Sequence, residues 1–366
     1  MRESECSRLI RKEYRMNRKI PFEPNELKPV SFIPGFFGMP DTPVKDTPLS
    51  PRENVAALYF EKHPYWMVTM SDSGMFFPGM YSMQLGRGGW DVGTTDAFGI
   101  EWEYVEIAQG AIVKPGEPFL ANANEWKDKI IIPDIDAWDW EAEAEQNKID
   151  KMYSTQFSFV NGFWFERLIS FMDFAPAAMA LIDEDQVGAV KEIFEAMTDL
   201  ACKLVDKFCQ YWPAIDGFNI HDDWGSQKAP FFSQDVAKMF IPYMKTLNDH
   251  IHSKGRFSTL HSCGHNEDRI QIFIDGGFDE WTPQDMNDTH KLFDEFGDKI
   301  VIGAIPEPFD PETTSEAEQR ERARAYVDKF CQKGKSAVAD FYSAWAFTPA
   351  FSEEVYEYSR KKYLSF

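Results

Sequence analysis

From about Phe157 onward the chain alternates short apolar runs with long amphipathic stretches, and this repeated strand–helix order restricts the fold more than any other feature. Apolar runs at Gln156–Val160, Gly217–His221, Arg256–His261, Phe278–Pro283, Lys299–Ile305 and Ser336–Phe341 predict strands covered on both faces. Between them lie helical patterns. The longest is Gln186–Gln210, where Val190, Ile193, Phe194, Met197 and Leu204 recur at helical spacing. Further helices are predicted over Ser233–Lys254, Asn266–Asp275 and Ser315–Gln332; Ser233 opens its helix as an N-cap and Gly255 closes it. Repeated βα units imply a parallel sheet with crossover helices. The expected fold class is α/β, closed as a (β/α)₈ TIM barrel.

The first half is less regular. Residues 1–50 carry Pro21, Pro24, Pro29, Pro34, Pro40, Pro43 and Pro48, and they read as an N-terminal arm lying over a barrel that occupies 51–366. Trp66–Met70 is the expected first barrel strand, after a helix over Pro51–Lys62 with Pro51 in its first turn. Residues 83–155 read as an inserted β-containing segment, in which Phe98–Ile107 and Ala111–Val113 pair as short strands. The acidic stretch Pro133–Gln146 reads as a solvated surface segment.

Charge and cysteine usage narrow the function classes. With 38 Lys+Arg against 60 Asp+Glu the net charge is −22, which excludes a nucleic-acid binder that neutralises phosphates. No apolar run reaches the roughly 18–20 residues of a membrane span. No apolar signal segment follows the charged residues at Met1–Glu5, so the cytoplasm is the expected location. The five cysteines (Cys6, Cys202, Cys209, Cys263, Cys331) are odd in number and form no Cys-x-x-Cys, so thiols are expected rather than a disulfide framework.

In a barrel of this kind the reacting groups lie just after each strand. Those positions hold His221, Asp222, Asp223 and Trp224, then His261, Ser262, Cys263 and His265, then Gln284, Asp285, Glu307, Asp340 and Tyr342. His261-x-Cys263 is chemically the most suggestive pair, because imidazole and thiolate are good zinc ligands and side chains at i and i+2 point the same way. A packing role for the two remains the alternative. His265 either completes a metal set or caps the next helix. Asp222 and Asp223 either take part in chemistry or bind backbone N–H groups of a neighbouring loop. Gly86-Arg87-Gly88-Gly89 does not sit between a strand and a helix, so it is no phosphate loop, and neither Gly-x-Ser-x-Gly nor His-Glu-x-x-His occurs. The aromatic residues Tyr65, Trp66, Phe76, Phe77, Tyr81, Trp90, Phe98, Trp102 and Tyr104 either build the core or line a pocket for a flat apolar substrate.

The block Gly217–Gln284 resembles the uroporphyrinogen decarboxylase superfamily. The resemblance is carried by a strand ending in Asp-Asp-x-Gly-x-Gln (Asp222–Gln227), a Phe-x-Pro-Tyr helix (Phe240, Pro242, Tyr243), Leu260-His261-x-Cys263-Gly264 and the turn Gly276-Gly277-Phe278-Asp279. Asp96–Tyr104 and Ile131–Asp136 resemble the front part of the same bacterial group. The resemblance implies a (β/α)₈ barrel.

Within that superfamily two activities compete. The decarboxylases share an N-terminal Arg-Gln-Ala-Gly-Arg segment that has no counterpart in residues 1–60, and a substrate with many carboxylates would be repelled by Asp222, Asp223, Asp285, Glu307 and Asp340. The other branch comprises cobalamin-dependent methyltransferases, including methylcobalamin:coenzyme M enzymes and O-demethylase components. Their His-x-Cys-Gly strand end supplies two zinc ligands, matched by His261 and Cys263, and a later Cys supplies the third. In this chain Tyr342 stands at that position, which argues against coenzyme M and leaves an oxygen ligand such as Asp222, Glu307 or Tyr342 to complete the site.

The resemblance therefore implies methyl transfer from a small methoxylated, aromatic substrate to cobalamin. Zinc would be held by His261, Cys263 and Glu307. Asp222 or Asp223 would orient the metal or accept a proton, and Tyr342 or Gln284 would bond the phenolic oxygen. The cobalamin-module pattern Asp-x-His-x-x-Gly is missing from the sequence, so the corrinoid would arrive on a partner protein. A decarboxylase, or an inactive barrel acting as a binding protein, are the alternatives. Monomer and homodimer both stay open.

Overall fold

The computed structural model describes residues 20–33, 42–89, 91–108, 110–114 and 118–366. Its strands in chain order are β1 (Pro29–Ile33), β2 (Thr42–Lys45), β3 (Ser73–Phe76), β4 (Trp102–Val105), β5 (Gly110–Val113), β6 (Ser154–Phe159), β7 (Gly217–His221), β8 (Phe257–His261), β9 (Glu280–Thr282), β10 (Val301–Gly303) and β11 (Ala337–Val338). The chain divides into two compact units. A central unit comprises Met75–Ile149 and Gln156–Met286, and a terminal unit comprises Met1–Gly74, Asp150–Thr155 and Asn287–Phe366. Pro34, Pro40, Trp90 and Cys6 lie outside the described residues.

In the central unit β6, β7, β8 and β9 pair in parallel, each with the next, with Phe157 opposite Phe218, His221 opposite His261, and His261 opposite Thr282. Helices Val187–Tyr211, Ile241–Ser253 and Ile270–Asp275 cross over between them. This is the βα order expected from the sequence, and the chain is an α/β protein of the TIM-barrel-like class.

The two faces of these strands differ chemically. Phe157, Phe159 and Phe218 are fully buried, and Phe157 stacks on Phe208 of the Val187–Tyr211 helix with ring centroids 3.8 Å apart. On the opposite face a polar ladder crosses three strands: Ser158 Oγ donates to Asn219 Oδ1 (3.0 Å), Asn219 Nδ2 to Thr259 Oγ1 (2.9 Å), and Thr259 Oγ1 to Gln156 Oε1 (2.9 Å). Each buried polar group is thereby satisfied by its neighbour. Because strand side chains alternate, His221 continues the face of Asn219 and His261 that of Thr259.

The expected pairing in the inserted segment is present, as antiparallel β4 and β5 with Trp102 opposite Val113. Two expectations for this unit need correction. The Ser233–Lys254 helix is broken into Gln234–Ala237, a 3₁₀ turn at Lys238–Phe240 and Ile241–Ser253, because Pro242 sets a new helix start. The acidic stretch Pro133–Gln146 is not simply solvated: Trp140 is buried and its indole N–H donates to Ile135 O at 2.7 Å, while Glu141 and Glu145 remain exposed.

In the terminal unit β10 and β11 run parallel and β1 and β2 antiparallel. The strand expected at Trp66–Met70 is reduced to a single bridge from Thr69 to Ala339. Side chains have taken the backbone groups a ladder would use: Asn54 Oδ1 accepts from Tyr65 N at 2.6 Å, Asn54 Nδ2 donates to Trp66 O at 3.1 Å, Ser359 Oγ accepts from Met67 N at 2.9 Å, and Asp72 from Thr69 N at 2.8 Å. The segment around Glu26 is pinned to the Pro349–Leu364 helix. Buried Glu26 accepts from Arg360 Nε at 2.9 Å and from the Tyr356 hydroxyl at 2.7 Å. Of the aromatic group noted in the sequence, Tyr65, Trp66, Tyr81, Phe98 and Trp102 are core residues, whereas Phe77 and Tyr104 are exposed.

Candidate metal centre

The C-terminal ends of β7 and β8 bring together His221, Asp223, His261 and Cys263, whose ligand atoms all lie within 4.8 Å of one another. Two residues come from each strand end at spacing i, i+2, so the parallel register that sets His221 against His261 also assembles the group. The imidazole rings stack with centroids 4.6 Å apart and planes 15° from parallel. His261 Nε2 lies 3.1 Å from Cys263 Sγ and 3.9 Å from Asp223 Oδ1, and His221 Nε2 lies 3.5 Å from the same oxygen. Ligand atoms at roughly 2.0–2.3 Å from one ion stand about 3.3–3.8 Å apart in a tetrahedron, so this spacing suits a single cation. Two imidazoles, a thiol and a carboxylate form a mixed set that suits zinc better than magnesium or calcium, which prefer oxygen alone.

The support around the group is built from backbone contacts. Asp223 Oδ1 accepts from Cys263 N at 2.7 Å, which ties the two strand ends together. Gly264 follows at φ +94°, and a Cβ there would stand 2.2 Å from the Gly225 backbone, so this close approach of two loops requires glycine. Gln284 Oε1 accepts from Gly264 N at 2.7 Å. Asp222 is fully buried. Its carboxylate accepts from Glu166 N at 2.9 Å, Phe165 N at 3.3 Å and Trp224 Nε1 at 2.7 Å, and so fixes the start of the Phe165–Met172 helix against the end of β7. Burial and then the nearby Glu166 charge push its carboxyl up to about 7, against those hydrogen bonds.

The two histidines are electrostatically unlike. Burial disfavours charge on His221, but Glu166, 3.2 Å from Nδ1, and Asp223 outweigh it and hold the imidazolium form well above its ordinary range. Burial and then the charge on His221 push His261 down to about 3, so it is a neutral donor. Burial pushes the Cys263 thiol up.

Of the residues expected from the sequence, His261, Cys263 and Asp223 stand together, with Asp222 and Gln284 bonded to their loops. His265 donates its backbone N–H to Ser226 O at 2.8 Å and is not in the group. Glu307 and Tyr342 belong to the terminal unit. There Glu307 is largely exposed and 3.7 Å from His290 Nε2, and Tyr342 N donates to Asp340 Oδ1 at 2.9 Å. Sequence reasoning did not single out His221 as a ligand, although its position at the strand end beside His261 was a usable signal. Nothing in the sequence marked Glu166.

No known family's profile matches the chain, and no curated protein matches it significantly. Among solved structures it is similar to a methyltransferase from Methanosarcina mazei, with a TM-score of 0.56 and 12% identity over 86% of this chain and 99% of that one. That similarity is one of fold.

Proposed function

We propose that the chain is a metal-assisted methyltransferase that moves a methyl group from a methoxylated aromatic compound to the cobalt of a corrinoid on a separate protein. The observation that carries this reading is the group of four potential ligands at the strand ends of β7 and β8, where a barrel-like fold places its chemistry. The name of the similarly folded Methanosarcina mazei chain supports methyl transfer as the reaction class.

Bound at this group, zinc would supply a Lewis acid for the ether oxygen, whose leaving phenolate needs stabilisation. The chain's own residues do the remaining work. His261 offers a neutral nitrogen, and Cys263 and Asp223 supply the anionic ligands. Asp222 acts as a positioning residue by holding the Phe165–Glu166 backbone and Trp224. Gln284 fixes the Gly264 turn. In the overall reaction the methyl–oxygen bond breaks with its electron pair left on the phenolate, and the methyl group passes to cob(I)alamin on the partner, whose cobalt would supply the electron pair of the new bond.

The test is elemental analysis of the purified protein and of His261→Ala and Cys263→Ala, followed by absorbance of cob(I)alamin with a panel of methoxyarenes. The expected result is about one zinc per chain, lost in both variants, and cob(I)alamin consumption that needs both protein and methoxyarene. Unchanged methyl transfer in metal-free protein would overturn the metal role, and carbon dioxide release from uroporphyrinogen would overturn methyl transfer. Gln284→Ala in the same assay tests its hold on the Gly264 turn.

A further inference from the structure

Behind His221 lies a chain of charges that the proposed chemistry does not itself require. Gly86-Arg87-Gly88-Gly89 forms a tight turn in which Arg87 takes φ +63° and Gly88 φ +59°. A Cβ at Gly88 would stand 2.1 Å from Thr94 O, so the turn closes only around glycine. It presents Arg87 to Glu166, Nη2 to Oε1 at 2.9 Å, with side chains only 16% and 8% exposed. The other carboxylate oxygen, Oε2, faces His221 Nδ1 at 3.2 Å. Both atoms are buried and neither has a hydrogen-bond partner among the described residues, which leaves this 3.2 Å approach as the contact that would satisfy them. His221 thus shows Nδ1 to Glu166 and Nε2 to Asp223, on the side of the four-residue group.

We infer that Glu166, oriented by Arg87, is the positioning residue that fixes His221 as a metal ligand through Nε2; the inference rests on the metal reading above. A carboxylate only accepts hydrogen bonds, so a neutral His221 must place its proton on Nδ1 and leave the Nε2 lone pair for the ion. Arg87 has only donors, and it therefore holds one oxygen of Glu166 and commits the other to the imidazole. The Gly-Arg-Gly-Gly turn, which fits no phosphate loop, is thereby assigned the task of presenting that arginine.

An isosteric exchange separates this role from packing. In Glu166→Gln the amide oxygen is claimed by Arg87, so the amide NH₂ faces His221 and donates to Nδ1, which drives the imidazole proton onto Nε2 and blocks the ligand atom. In Arg87→Met/Glu166→Gln the amide is free to turn its oxygen to His221, and no buried charge is left unpaired. Cobalt(II) is the probe, its affinity read by competition with a chelator and its ligand field by visible absorbance, on full-length protein whose thermal transition is recorded for every variant. The expected result is a loss of about 10–100-fold in affinity for Glu166→Gln, with shifted d–d bands and a retained thiolate-to-cobalt band, measured below the variant's thermal transition. The double variant recovers most of the affinity, and Arg87→Met alone loses affinity by a smaller factor than Glu166→Gln, because the Glu166 carboxylate loses the arginine that orients it but still faces His221 Nδ1. Wild-type affinity in Glu166→Gln, or no recovery in the double variant, overturns the positioning role while leaving the metal reading intact. Wild-type protein that takes up no cobalt overturns both.

Discussion

His221 and His261 stack face to face, 4.6 Å between centroids, as register partners at the ends of neighbouring parallel strands. Each is joined by an acceptor or thiol two residues on, so the ligand group is a property of strand pairing rather than of one loop. Removing either ring takes away a donor atom itself. His221→Ala and His261→Ala are each expected to weaken zinc or cobalt(II) binding by more than the roughly 10–100-fold typical of losing an outer hydrogen-bond partner. Chelator competition checks this, and full affinity in either variant would remove that histidine from the ligand set.

Gly264 tests how far the site depends on the close approach of two loops. At φ +94° an alanine is strained, and its Cβ would overlap Gly225 backbone atoms at 2.2 Å. Backbone strain of this kind costs about 1–3 kcal/mol and the overlap about as much again, so Gly264→Ala should lose about 3 kcal/mol or more. Urea unfolding measures it, with metal binding falling in parallel because Cys263 precedes the turn. A variant within about 0.5 kcal/mol of wild type would show that the loops part easily.

Much of this was legible in the sequence because it follows from periodicity. The runs at 217–221 and 256–261 could only be strands, and the polar residues after them had to share one end of a parallel sheet. What could not be read was set by contacts far apart in the chain. Glu166 meets Arg87 across 79 residues, and Asp222 meets Glu166 across 56. At Trp66–Met70 an apolar run promised a strand, but Asn54, Asp72 and Ser359 claim its backbone groups, and no local pattern announces such captures. Trp140 likewise hides in an acidic stretch, since a single aromatic facing the core outweighs charged neighbours that face water.

His252 offers a pH-dependent prediction away from the ligand group. Its Nε2 lies 2.8 Å from Asp279 Oδ2, a carboxylate that also accepts from Ser258 N at 2.8 Å. Burial lowers the imidazole pKa, but the hydrogen bond and charge of Asp279, then Asp249, outweigh burial and the opposing Lys245, leaving it above the ordinary 6.5. A raised folded-state pKa stabilises the fold in full below the unfolded value, and that stability is lost as pH rises through the folded value. The stability gap between wild type and His252→Ala should therefore be widest below about pH 6.5 and shrink on the alkaline side. Denaturant midpoints across that range check it; a gap that widens with pH would mean that the neutral ring is the form the fold prefers.

Glu26 and Arg360 form a pair almost wholly removed from water, with Arg360 Nε 2.9 Å and Nη2 3.0 Å from the two carboxylate oxygens. Burial raises the Glu26 pKa, but Arg360 and the Tyr356 hydroxyl outweigh it and keep the carboxylate ionised. Deleting one partner strands the other charge in a dry environment, at a cost of about 3–5 kcal/mol. Glu26→Ala should lose about that much, whereas Glu26→Met/Arg360→Met should lose far less, because a well-packed apolar pair avoids both desolvation penalties. Tyr356 makes the double variant demanding, since its hydroxyl donates to Glu26 at 2.7 Å, so Tyr356→Phe belongs in the same background. Equilibrium unfolding of the variants decides the matter. If the single and double variants are equally destabilised, the pair's role is specific anchoring of the segment around Glu26 and not the avoidance of an unpaired charge.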